Sequence, residues 1–185
     1  MPGCNLFSAQ RRAKSVGASA PVFIGNCVFV SHKREDSEMA RTVADALMDL
    51  DINVWLDLDE LGFSEPRTAE EHLRLTHTIE AGLKASTHLL ALITPSTKGS
   101  WWVPFEIGSC RARGKPLAFL LHKEVKNLPS FIKLGVSLEN KHEFYDWAKE
   151  LSRSRGAFLD KKAMLATLQK NDNLDRYLEH IRTRR

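Results

Sequence analysis

The chain has 185 residues, 43% hydrophobic and 27% charged, with a formal charge of +4. That length and mix predict one globular domain with short appendages, large enough to bury a core. No apolar run approaches the ~18–20 residues of a bilayer span, and the N-terminus lacks the continuous apolar stretch of a secretory leader, so neither a membrane span nor a leader is expected.

Residues 1–20 are small, polar and basic without periodicity, and read as a disordered or loosely packed N-terminal segment. Order is expected from about Val22, giving one domain over 21–152 and a helical extension over 153–185. Cys27–Ser31 (CVFVS) reads as a buried strand. Asp36 offers an N-cap to a helix whose Met39, Val43, Leu47 and Leu50 fall on one face. Ile52–Leu56 is a second strand, and Asp57–Arg67 a long acidic loop holding Gly62 and Pro66. Thr68 and Glu71 form a capping-box pattern opening a helix with Leu75, Ile79 and Leu83 inside. His88–Thr94 is a third strand, apolar almost throughout, as strands covered on both faces are.

A turn at Pro95–Ser100 precedes a helix from about Trp101 to Arg113, which Gly114 ends; Pro104 is tolerated in its first turn. Leu117–Leu121 is a fourth strand, and a short fifth is expected near Leu134–Leu138. Helices over about Lys141–Ser152 and Lys161–Thr183 complete the chain. Strict alternation of strand and helix predicts a parallel sheet with helices on both faces, and five strands favour the flavodoxin-like order 2-1-3-4-5. Ligands in such sheets bind beyond the carboxyl ends of the strands where the order reverses, here between strands one and three. The segments Ser31–Asp36 and Thr94–Glu106 are therefore expected to line a crevice.

The first segment, Ser31-His32-Lys33-Arg34-Glu35-Asp36, offers a hydroxyl, an imidazole and two cations ahead of a helix N-terminus, a place suited to phosphate. Lys33 and Arg34 read equally well as solvated loop charges. The second, Ser100-Trp101-Trp102-Val103-Pro104-Phe105-Glu106, sets Trp102 and Glu106 four apart on one helical face, so that a ring able to stack on a base sits one turn from a carboxylate. The plainer reading makes both tryptophans core packing and Glu106 a complement to the helix dipole. Trp101 is assigned to packing, since one of two neighbours must point elsewhere.

A fixed carboxylate beside a ribose can stabilise the oxocarbenium-like state of a breaking N-glycosidic bond. GxGxxG, Walker and GxSxG patterns are absent, which argues against a dinucleotide dehydrogenase, a P-loop NTPase and a triad hydrolase. Cys4, Cys27 and Cys110 form no CxxC, no HExxH is present, and the acids Asp57, Asp59 and Glu60 read as a solvated loop, so no metal site is expected. The odd, scattered cysteines fit a reducing, cytoplasmic setting. Basic residues near the ends, among them Arg11, Arg12, Arg184 and Arg185, read as solvated termini, and neither nucleic acid nor membrane is expected as a partner.

From Val28 to about Leu134 the chain resembles the TIR (Toll/interleukin-1 receptor) domain, in its bacterial form. The resemblance rests on Val28-Phe29-Val30-Ser31-His32-Lys33-Arg34, on Val54-Trp55-Leu56-Asp57 with Leu61-Gly62 in the BB loop, on Leu92-Ile93-Thr94-Pro95-Ser96, and on Ser100-Trp101-Trp102-Val103-Pro104-Phe105-Glu106-Ile107. The resemblance implies a flavodoxin-like enzyme that takes NAD+ as substrate, needs no cofactor and cleaves the nicotinamide–ribose bond. Glu106 is then the catalytic carboxylate, with Ser31, His32, Lys33, Arg34, Trp102 and, from the BB loop, Phe63 holding the substrate. Nicotinamide leaves as a neutral molecule, so one carboxylate and good positioning suffice. The same resemblance implies self-association through the BB loop, and an ADP-ribose-derived signal that activates a downstream effector in antiphage defence. Pro104 and Phe105 depart from the more polar residues usual between the tryptophan and the glutamate. A non-catalytic TIR adaptor and a nucleoside 2-deoxyribosyltransferase-like enzyme are the alternative readings; an FMN binder or a response-regulator receiver fits less well, for want of the loop and acid pair each needs.

Overall fold

The computed structural model describes residues 3–15, 25–57 and 68–153. Five strands, β1 (Cys27–Ser31), β2 (Asn53–Trp55), β3 (His88–Ile93), β4 (Leu117–Leu121) and β5 (Val136–Leu138), form one parallel sheet in the order β2-β1-β3-β4-β5. The helices are α1 (Leu6–Ser15), α2 (Ser37–Asp49), α3 (Ala69–Ala85), α4 (Trp102–Ala112) and α5 (Lys141–Arg153). The alternation of strand and helix thus produces the flavodoxin-like architecture that the sequence pattern predicts. The helix expected over Lys161–Thr183, the 153–185 extension beyond Arg153 and the BB-loop Phe63 lie outside the described residues.

Side-chain alternation along the strands splits the core in two. Val28, Val30, Leu90, Leu92 and Leu120 point to one face, where Val43 and Leu47 of α2 and Phe144 and Ala148 of α5 cover them. Cys27, Phe29, Leu89, Ala91, Ile93 and Phe119 point to the other, under Ile79 and Leu83 of α3 and Val103, Ile107 and Cys110 of α4. Ser31, two residues beyond Phe29, shares this second face by the same period, and it carries a hydroxyl to the carboxyl end of the sheet.

Local signals place the helices. Thr68 Oγ1 accepts from the Glu71 amide at 3.2 Å and Glu71 Oε2 accepts from the Thr68 amide at 3.2 Å, a complete capping box. Gly114, with φ of 68°, takes the left-handed conformation just past α4, which costs glycine little. Gly82 lets α3 lie directly on the Trp55 indole, because a Cβ there would overlap the ring.

Two sequence expectations need correction. The N-terminal segment is not loose over residues 3–15. Asn5 lies alongside Val54 as a parallel bridge, and its side chain both donates to the Leu56 carbonyl (2.9 Å) and accepts from the Leu56 amide (3.3 Å). Leu6 is buried in the second core, and Phe7 meets Trp55 edge to face at 5.7 Å. This strap covers the otherwise open edge of β2. Asp36 occupies the N-cap position of α2, yet its side chain makes no cap bond. The segment after β3 brings two hydroxyls to it instead.

Candidate active site

α4 buries Val103, Glu106, Ile107 and Cys110, a stripe at helical spacing in which Glu106 is the one ionisable carboxylate. Glu106 is only 6% exposed. An unpaired carboxylate so placed would cost several kcal/mol, which makes its partners decisive. Ser31, last residue of β1, donates to Glu106 Oε2 at 2.5 Å. The two strands flanking this contact, β1 and β3, are neighbours in register from Val28↔His88 to Ser31↔Ala91, and the sheet order reverses between them. Glu106 therefore stands where open α/β sheets bind ligands.

A cleft opens beside the carboxylate, lined by Phe29, Val30, His32, Trp55, Asp57, Thr78, Ile79 and Glu106. Its volume is about 20 Å³, room for a water molecule but not for a nicotinamide ring, so entry of a larger ligand requires the crevice to open. A wider hollow of about 550 Å³ is lined by His77, Glu80, Ala81, Lys84 and Arg113. Those residues sit in the later turns of α3 and at the end of α4, where both helices have run back toward the amino ends of the strands. Size alone would choose that hollow; position in the fold and the buried carboxylate choose the cleft.

His32 lines the cleft with its Nδ1 3.3 Å from the Val30 carbonyl, and burial lowers its pKa below the usual imidazole value. Lys33 reaches across to the turn after β3, where a Cβ on Gly99 would stand 3.4 Å from its Nζ, and it pairs with Glu35 at 2.8 Å. Arg34 is exposed. Trp102 is half-buried, packed on the second core and edge-on to Phe105 at 5.7 Å, and is not part of the cleft wall. Trp101, assigned to packing from the sequence, is 91% exposed: its backbone precedes the first turn of α4, outside the buried stripe.

The structure thus brings Ser31, His32 and Glu106 together, sets Lys33 across the crevice, and leaves Trp102 one step outside the wall. Of the eight wall residues, only His32 and Glu106 are site residues expected from the sequence. Trp55 and Thr78 belong to a strand and a helix whose inner faces read as ordinary core, and Asp57 was read as one of several loop acids. Asp57 follows directly on β2, at the carboxyl end of the sheet, and that position was the available signal.

The buried thiols are poor nucleophiles, since desolvation pushes Cys27 and Cys110 up to about 11. Among the described residues no group of three or more His, Cys, Asp or Glu is placed to hold a metal ion, and no helix is long and apolar enough to cross a membrane.

A five-stranded parallel sheet with a buried glutamate at its switch point defines a class of small α/β domains with a ligand crevice at the strand ends. Within that class the chain belongs to the TIR domain family, whose pattern matches residues 28–158. Among curated proteins none matches it in sequence. Its fold is similar to that of a conserved protein from Enterococcus faecalis V583, at 17% identity over 71% of this chain and 99% of that one, with a TM-score of 0.50. It is similar as well to a 2-deoxyribosyltransferase from Bacillus psychrosaccharolyticus, at 14% identity over 75% and 95%, with a TM-score of 0.50. At such identities the likeness is one of fold.

Proposed function

We propose that this TIR domain cleaves the nicotinamide–ribose bond of NAD+ with Glu106 as the catalytic carboxylate. The observation that carries the reading is a glutamate buried at the β1–β3 switch point and held by the Ser31 hydroxyl at 2.5 Å. As the N-glycosidic bond lengthens, positive charge develops on the ribose, and a fixed anion in a water-poor site stabilises that charge more than it stabilises the ground state. Nicotinamide departs as a neutral base carrying the bonding pair, and water or another nucleophile then takes its place at the anomeric carbon. Ser31 fixes the carboxylate, His32 and Lys33 flank the crevice, and Arg34, Trp102 and Phe63 are the remaining proposed substrate contacts. Because the cleft is small, access depends on rearrangement around it, and self-association through the BB loop is the proposed trigger. The product, an ADP-ribose species, would serve as a signal to a downstream effector in bacterial antiphage defence.

The test is incubation of the concentrated protein with NAD+, followed by chromatography and mass spectrometry of the products. Wild type is expected to release nicotinamide, Glu106→Gln to release none above background, and Ser31→Ala to fall by about 10–100-fold, the scale of losing a positioning contact on a reacting group. Equal turnover by wild type and Glu106→Gln removes the carboxylate from its role. The fold likeness to a 2-deoxyribosyltransferase supports a second reading, exchange of bases on deoxynucleosides by the same glutamate. Deoxynucleoside with a free base in a parallel incubation separates the two.

A further inference from the structure

Two segments meet at the crevice, the loop after β1 and the segment from Thr94 to α4, and they are tied at two points. One tie is Ser31 to Glu106. The other is centred on Asp36, whose Oδ2 accepts from Thr94 Oγ1 at 2.7 Å and from Ser96 Oγ at 2.6 Å, while the two hydroxyls lie 2.6 Å from each other. From there the bonds run along the chain toward the helix. Thr97 Oγ1 accepts from the Thr94 amide at 3.0 Å and lies 3.1 Å from the Leu92 carbonyl, to which it donates. The Ser100 amide donates to the Thr97 carbonyl at 2.9 Å, and Ser100 Oγ accepts from the Val103 amide at 3.2 Å in the first turn of α4. Glu106 stands one turn further on. Asp36 gives up the cap bond that its place at the start of α2 offers, and spends its charge on the opposite segment instead.

We infer that Asp36 is a positioning residue: its carboxylate clamps the Thr94–Ser96 hydroxyls, holds the turn before α4 in place, and so aims Glu106 at the ribose. This inference rests on the proposed NAD+ reading for its catalytic consequence, though not for the clamp itself. A carboxylate is suited to the task because one oxygen can accept from two hydroxyls at once and a charged acceptor strengthens both bonds. Asp36 touches no reacting atom in this scheme. It acts through the backbone of the Ser96–Gly99 turn.

The experiment compares Asp36→Ala, Asp36→Asn, the pair Thr94→Val with Ser96→Ala, and the triple combination. Two readouts are taken, steady-state kinetics on NAD+ and hydrogen exchange of the backbone amides from Thr97 to Val103. Asp36→Ala is expected to lower kcat by about 10–100-fold with KM within about twofold, since a misaimed group costs rate more than binding. The hydroxyl pair should show the same loss, and the triple variant no further loss, because all three changes cut one network. Asp36→Asn keeps an acceptor oxygen and should recover most of the rate. In Asp36→Ala the Thr97–Val103 amides should exchange at least several-fold faster while the β3 and β4 amides hold. Multiplying losses in the triple variant, or a KM rise with kcat intact, overturns the positioning role. A wild type silent on NAD+ defeats the reaction alone; exchange then still decides the clamp, and unchanged Thr97–Val103 protection in Asp36→Ala overturns it.

Discussion

Glu106 shows how a single residue can announce a site. Its neighbours at i−3, i+1 and i+4 are Val103, Ile107 and Cys110, all buried, so the helical period alone puts a carboxylate in a stripe that should be apolar. The sequence makes that anomaly visible. It does not show who satisfies the carboxylate, because Ser31 lies 75 residues away and only strand alternation and sheet register bring it close. His32 is legible in part as well: its place after β1 predicts the crevice, but the cleft that it lines is shared with Trp55 and Ile79, which come from other elements. Burial lowers the pKa of His32 and also that of His88. Both imidazoles therefore bind a proton more readily in the unfolded chain than in the folded one. Their stabilising contribution is complete above the ordinary imidazole value near 6.5 and is lost as the pH falls through it. Urea midpoints are expected to drop between about pH 7 and 5, and His32→Gln should flatten part of that slope. A slope identical in wild type and variant would show that His32 titrates alike in both states.

At the scale of elements, boundaries followed from local chemistry wherever that chemistry is local. The Thr68–Glu71 capping box and the left-handed Gly114 both stand where the sequence places them. Asp36 is the counter-example. Its residue type and position predicted an N-cap, and the partners that claimed it instead, Thr94 and Ser96, are remote in sequence. Gly82 is another element whose reason is tertiary. Within a helix glycine costs about 1 kcal/mol relative to alanine, so Gly82→Ala would be stabilising if propensity decided. The Trp55 indole lies where the added methyl would go, and overpacking a filled core costs about 1–3 kcal/mol or more. Packing is expected to win. Gly82→Ala should lower the unfolding free energy by about 1–2 kcal/mol in urea titration, and a rise in stability would mean that α3 slides away from β2 with ease.

Over the whole molecule, the alternating pattern of strands and helices carried the sheet order, the two-sided core and the location of the crevice. It did not reveal the strap formed by residues 3–15, whose attachment relies on one asparagine and two apolar residues rather than on any period. The Asn5 side chain makes three hydrogen bonds, to the Leu56 carbonyl and from the amides of Leu56 and Phe7. Replacing it with alanine leaves those partly buried backbone groups short of partners, at about 1–3 kcal/mol for a group left unsatisfied. Asn5→Ala is expected to lower the melting temperature by several degrees and to speed tryptic cleavage at Arg11 and Arg12. Unaltered cleavage would mean that Leu6 and Phe7 hold the strap by themselves.

The exposed indole of Trp101 has a practical corollary. Of the four tryptophans in the chain, Trp55 is enclosed, Trp102 and Trp147 are half-covered, and Trp101 faces solvent almost completely, at the foot of the helix that bears Glu106. Its emission is therefore expected to be red-shifted and open to collisional quenching by iodide or acrylamide, and that of Trp55 is expected to be protected. Contact between two copies at this end of α4 would shield one fluorophore selectively, so the molecule carries an intrinsic optical probe that requires no label.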